Sequence, residues 1–248
     1  MFLLRYLRHM EVKKKTGRYF LYAAGEIILV VVGILIALQI NTWNEGRKLE
    51  QQRLELIENL KKDFQTNQTR LDTIIGTVGQ NNEDLKAFLS VASGGNEHLS
   101  LLELKTMAGS GFKHEVFQPA LGTYDAAVST GAIGLLKSLL FNEFMAVFHQ
   151  QIADFERHDA IGGQMMYLGS YWEVRKQMGT LHSIDHNPDN VFEPDTYLLS
   201  DEAYRAFIAK PEVYAAFENM QWIYRNQYEI LVEAKTTTEE VLAILDSL

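Results

Sequence analysis

Two hydrophobic patterns divide the chain. From Tyr19 to Ile40 apolar side chains follow one another without a polar face, and Glu26 is the only charge in 22 residues. As a helix rising about 1.5 Å per residue, that stretch covers roughly 30 Å, the thickness of a bilayer's hydrocarbon. Beyond Trp43 the pattern changes to a strict heptad. Taking Ile57 as a, the a and d positions are Ile57, Leu60, Phe64, Asn67, Leu71, Ile74, Val78, Asn81, Leu85 and Phe88. This predicts a helix of some 45 residues, with Asn67 and Asn81 as polar d positions of the kind that set register or oligomer state. Gly76 and Gly79 each weaken it by ~1 kcal/mol relative to Ala, so a bend is expected there. The seam fits a second subunit or the remainder of the same chain equally well, because four-helix bundles use heptads too.

The later segments are also helical. "SGGNE" at 93 to 97 reads as a turn, Leu99 to Met107 as a short helix stopped by "GSG", and Pro119 as a first-turn residue of a helix ending near Thr130-Gly131. Apolar spacing from Leu135 to about Met178 predicts one or two long helices with a joint at Gly162-Gly163. Residues 180 to 200 read as loop, Asp201 to Ala209 as a short helix, and Pro211 to Leu245 as a long last one with Trp222, Tyr224 and Tyr228 partly in the core. No run of alternating β-formers is apparent, so the expected fold is all-α. The expected divisions are a basic segment at 1–18, a transmembrane helix at 19–43 and a helical bundle at 44–248.

Charge adds a direction. Arg5, Arg8, Lys13, Lys14, Lys15 and Arg18 stand against Glu11 alone in residues 1–18, a net of +5 in a chain whose total is −9. By the positive-inside rule the N-terminus is expected in the cytoplasm and the bundle outside it, in the periplasm of a Gram-negative cell. Phe2, Leu3, Tyr6, Leu7 and Met10 share one helix face, which suits the cytoplasmic interface of the bilayer, and a plain disordered basic tail is the alternative. The run continues into Gln39-Ile40-Asn41 instead of a small-x-small cleavage site, so a retained anchor in the inner membrane is expected. The acidic remainder offers nucleic acid no attraction, and the absence of cysteine removes disulfides and thiolate chemistry.

Within the span, Glu26, Gly33, Ala37, Asn41 and Asn44 fall within about 80° of one another. Gly33-x-x-x-Ala37 permits close helix approach, Asn41 offers a hydrogen bond across it, and Gln39 projects from nearly the opposite side. Homo-oligomer packing is the reading that uses all five. Anchoring at the interface and a conducting path through Glu26 are its competitors.

"LYAAGEIILVVVGILIALQINTWNE" resembles the N-terminal signature of DUF6090, a family of membrane proteins from Bacteroidota. "TYDAAVSTGAIGLLKS", Thr123 to Ser138, resembles its second recurring block, carried here by Tyr124, Ser129 and Gly131. The resemblance implies a single-pass inner-membrane protein with a helical extracytoplasmic region, and it supplies no activity. For those three residues a structural role is expected: a ring with a polar tip, a backbone-satisfying hydroxyl and a tight helix junction.

Candidate chemistry is sparse. His182, Asp185, His186, Asp189, Glu193 and Asp195 crowd into "LHSIDHNPDNVFEPD". The calcium-loop spacing fails for want of Gly at position six and Glu at position twelve, and the His-x-x-x-His lacks the Glu of a zincin. His149 and His158 lack the Glu-x-x-His pairs of a di-iron bundle. No metal or cofactor is therefore expected. The expected function is a non-enzymatic, membrane-anchored scaffold, sensor or partner-binding homo-oligomer, meeting the lipid bilayer and an unidentified membrane or periplasmic protein. A small channel or channel accessory, and a metal-dependent enzyme built on the 182–195 loop, are the alternatives.

Overall fold

In the computed structural model residues 2–95, 98–168, 171–172 and 200–248 are described, with side chains from Tyr22 onward. The described residues contain six α-helices and no strand: α1 (Phe2–Ala92), α2 (Leu101–Ser110), α3 (Gly122–Thr130), α4 (Leu139–Leu168), α5 (Asp201–Ile208) and α6 (Pro211–Ser247). A 3₁₀ turn, Ala132–Leu136, joins α3 to α4. Chain contacts divide the molecule into two units, 1–56 and 57–248.

The first unit is helix alone. Ile27, Ile28, Leu29, Val30, Leu35, Leu38 and Trp43 are all exposed, and this stretch is long and apolar enough to cross a membrane. Aliphatic residues on every side of a helix gain nothing from water, so they call for an apolar surrounding that the chain itself does not provide.

The second unit is built on three long helices. The apolar heptad positions Ile57, Leu60, Phe64, Leu71, Ile74, Val78, Leu85 and Phe88 are all buried within the chain. Helix α6 covers them in the antiparallel sense: Lys61 pairs with Asp246, Asp72 with Lys235, Gly79 meets Tyr228, and Asn82 bonds Gln221. As residue number rises along α1 it falls along α6. Helix α4 completes the layer through Phe141, Met145, Phe148, Ile152 and Phe155, all buried at helical spacing, with Phe148 5.7 Å from Phe64 between ring centroids. Buried positions on α6 repeat from Val213 through Phe217, Tyr224 and Leu231 to Leu245, as a helix between two others requires. Pro211 opens α6 at its first turn, where a missing N–H costs nothing.

The structure refines several expectations and corrects the one at Pro119. Helix α1 is continuous through Gly76 and Gly79, and the Tyr228 ring lies against Gly79. Helix α1 ends at Ala92, with Gly94 at φ 90°. Pro119 does not start a helix: α3 begins at Gly122, and Pro119 belongs to a non-helical run from 113 to 121. The Gly162-Gly163 pair lies inside α4, with Gly162 facing Ile223, where small size allows α6 to approach. Tyr224 is buried, whereas Trp222 and Tyr228 are 45% and 37% exposed. Helix α2 carries a capping box: Ser100 accepts from the Glu103 N–H while the Glu103 carboxylate accepts from the Ser100 N–H.

Candidate functional site

The run from Lys113 to Leu121 is a strap laid along α1. Asn81 accepts from Lys113 Nζ at 3.2 Å, Arg70 donates to the Gln118 carbonyl at 2.7 Å, Asn67 exchanges two bonds with Ala120, and Asp63 accepts from the Thr123 N–H at 3.0 Å. The eleven helical steps from Arg70 to Asn81 cover roughly 16 Å. The strap passes the same stretch of α1 in the five steps from Gln118 to Lys113, with the long Arg70 and Lys113 side chains supplying part of the reach, so its main chain is extended rather than helical. Exposure alternates as a strand's does, with Val116 and Gln118 exposed and Phe117 buried against Phe155 of α4.

Asn67 therefore acts differently from a register-setting residue between subunits. Its amide donates to the Ala120 carbonyl at 3.0 Å and accepts from the Ala120 N–H at 2.6 Å, replacing the neighbouring strand the strap lacks. Burial of both amides is tolerated because both are satisfied. Asn81, equally buried, holds the Lys113 ammonium and lies 3.5 Å from Glu115. Both polar seam positions are spent inside the chain.

Around residues 113 to 115 the three long helices and the strap meet in a polar cluster. His114 Nδ1 lies 3.2 Å from Asp159 of α4, and Gln227 of α6 also hydrogen-bonds that carboxylate. Burial raises the Asp159 pKa, opposed by His114 and Gln227 and reinforced by Glu156. The Tyr224 hydroxyl donates to the Lys113 carbonyl at 2.5 Å. Burial pushes its pKa up, helped by Glu115 and Asp159, so it stays a neutral donor. The cluster contains an acid and an imidazole beside a cavity of only about 10 Å³, and its hydrogen bonds fasten the strap to α4 and α6. Sequence reasoning missed it, although Asn67, Asn81 and the Glu-Val-Phe-Gln-Pro run at 115–119 were the available signals.

A larger groove, about 640 Å³, lies on the α1 side of the strap between Thr69, Arg70, Thr73, Ile74 and Thr77 on one wall and residues 115–118 on the other. No group of three or more His, Cys, Asp or Glu side chains able to hold a metal occurs among the described residues. The 182–195 loop lies outside those residues.

The other candidates are placed as follows. Glu26, Gly33, Ala37, Gln39 and Asn41 are exposed on the first unit, with nothing within 4 Å of a Cβ added at Gly33. Asn41 donates to Glu45 along its own helix at 2.8 Å. Tyr124 stacks obliquely on Phe141 and His149, at 6.3 and 5.2 Å. The Ser129 hydroxyl returns to the Ala126 carbonyl, and Gly131 closes α3 at φ 76°. A left-handed residue there suits glycine, and the family-motif residues thus shape a junction.

An all-helical protein with one exposed, span-length apolar helix and a strapped three-helix core is the class these observations define. A family described as "Family of unknown function (DUF6090)" matches residues 26–150, just over half of the chain, and the protein belongs to it. No curated protein and no solved structure matches.

Proposed function

We propose that the protein is a single-pass, non-enzymatic membrane anchor, set in the inner membrane with its N-terminus in the cytoplasm, whose extracytoplasmic bundle binds a partner and whose span assembles homo-oligomers. The observation that carries this reading is the apolar stretch from Ile27 to Trp43, exposed all round, followed in the chain by a bundle that buries its own seam. With the heptad used internally, the span is the surface left for self-association, through Gly33 and Ala37. Asn41 spends one amide proton on Glu45, leaving its second proton and its carbonyl oxygen for a neighbouring helix.

Native mass spectrometry of the full chain in nanodiscs tests the assembly, with Gly33→Leu and Asn41→Leu alongside. A defined oligomer that falls to monomer in Gly33→Leu is the expected result, and a monomer throughout overturns the oligomeric part. Alkaline phosphatase fused after residue 248 tests orientation: activity is expected, and an inactive fusion that is nevertheless made and membrane-bound overturns the topology.

A further inference from the structure

The strap leaves part of its α1-facing edge unpaired. In an extended chain the N–H and C=O of a residue face one edge and those of the next residue face the other. The Gln118 carbonyl and both main-chain groups of Ala120 face α1, while the Lys113 carbonyl faces away, toward Tyr224 of α6. Carried on to Val116, which lines the 640 Å³ groove, the same alternation assigns its N–H and C=O to the α1 side, and neither has a protein partner among the described residues.

The opposite wall complements them. The hydroxyls of Thr69, Thr73 and Thr77 spend their protons on the carbonyls of Gln65, Thr69 and Thr73, leaving oxygen lone pairs as acceptors. Arg70 stands at one end of the groove, beside Gln118, and Glu115 at the other. A main-chain donor and acceptor on one side, acceptors on the other and a charge of each sign at the ends match an extended peptide. The groove walls, Thr69 to Thr77 on α1 and Glu115 to Gln118 on the strap, are roughly 10 to 12 Å long, which at about 3.3 Å per residue holds three or four residues with the charged ones at the two ends. An apolar small molecule would leave these groups unpaired.

We propose that this groove binds an extended peptide segment of a partner protein, added antiparallel to Glu115–Gln118, with an acidic residue near its N-terminal end facing Arg70 and a basic residue near its C-terminal end facing Glu115. The inference deepens the partner-binding reading above and rests on it. Backbone pairing supplies affinity and the end charges supply direction, as in strand addition to an exposed edge.

The test uses full-length protein in nanodiscs and a dye-labelled pentapeptide, Glu-Val-Thr-Val-Lys, followed by fluorescence polarisation up to about 1 mM protein. Saturable binding is expected, weakened at least tenfold by methylating the central amide nitrogen of the peptide and at least tenfold by Thr73→Arg. Thr73 is an exposed helix position, so an unchanged melting temperature identifies the loss as local. The sequence-reversed peptide is expected to bind more weakly. No saturable binding, or binding indifferent to both N-methylation and Thr73→Arg, overturns the groove. Site-specific photo-crosslinking in intact cells, with the probe at Val116 or at exposed Leu139, separates the two failures. A partner captured from Leu139 alone refutes the groove and keeps the partner reading, whereas no protein captured from either position counts against both.

Discussion

At the residue scale, the informative positions are polar groups inside apolar patterns. Asn67 sits where a heptad wants leucine, and its amide completes the main chain of Ala120. Asn67→Leu should lower stability by about 2 to 4 kcal/mol, since two main-chain groups lose their partner together. Urea denaturation of the wild type and variant measures it. Were Asn67 a register residue between subunits, leucine would stabilise the assembly instead.

Ser100 and Glu103 make a second such case. The Ser100 hydroxyl, then the Ser100 main chain, hold the Glu103 carboxyl below its usual pKa. A depressed folded-state pKa means the stabilisation is present above the unfolded value, near 4.5, and is lost as pH falls through the lower folded value. Ser100→Ala should therefore lower the melting temperature at pH 7, as loss of an N-cap does. Its melting-temperature deficit should shrink as the pH drops from 5 to 3, a trend followed by circular dichroism.

At the element scale, two glycines of α1 that look alike in sequence differ in surroundings. Nothing lies within 4 Å of a Cβ at Gly76, whereas one at Gly79 meets the Tyr228 ring at 3.1 Å. Gly76→Ala should stabilise the helix by about 0.5 to 1 kcal/mol, the propensity gain. Gly79→Leu should destabilise, because Tyr228 must leave its place, and Tyr228→Ala should recover part of the loss. Thermal melts of the three variants and the Gly79→Leu/Tyr228→Ala pair check both statements. The strap is an element too, and it escaped notice because its main chain is paired by side chains. The Glu-Val-Phe-Gln run has too few residues for alternation to stand out, and its extension depends on α1 supplying the partners.

For the whole molecule, the two units make separate demands. The 57–248 unit encloses its own core, from Leu71 on α1 to Phe148 on α4 and Phe217 on α6. A fragment beginning near Leu49 should remain soluble without detergent and melt cooperatively, while the full chain should need detergent or lipid. Sedimentation and calorimetry of the fragment decide this, and an aggregated or non-cooperative fragment would mean that the first unit is needed for folding.

The sequence by itself determined the helical class, the span-length apolar helix, the heptad, and the positions of α5 and α6 to within about two residues. These depend on local rules, namely unbroken hydrophobicity, periodicity near 3.6 and proline or serine at helix starts, that act within a few neighbouring residues. Only the tertiary structure decided what fills the seam, since a heptad specifies an apolar partner without naming the chain that provides it. The answer is α4 and α6 for the apolar positions and the strap for Asn67 and Asn81. The His114–Asp159 pair joins residues 45 positions apart and the groove joins residues 38 to 49 apart, so their chemistry exists only once the tertiary fold has brought them together.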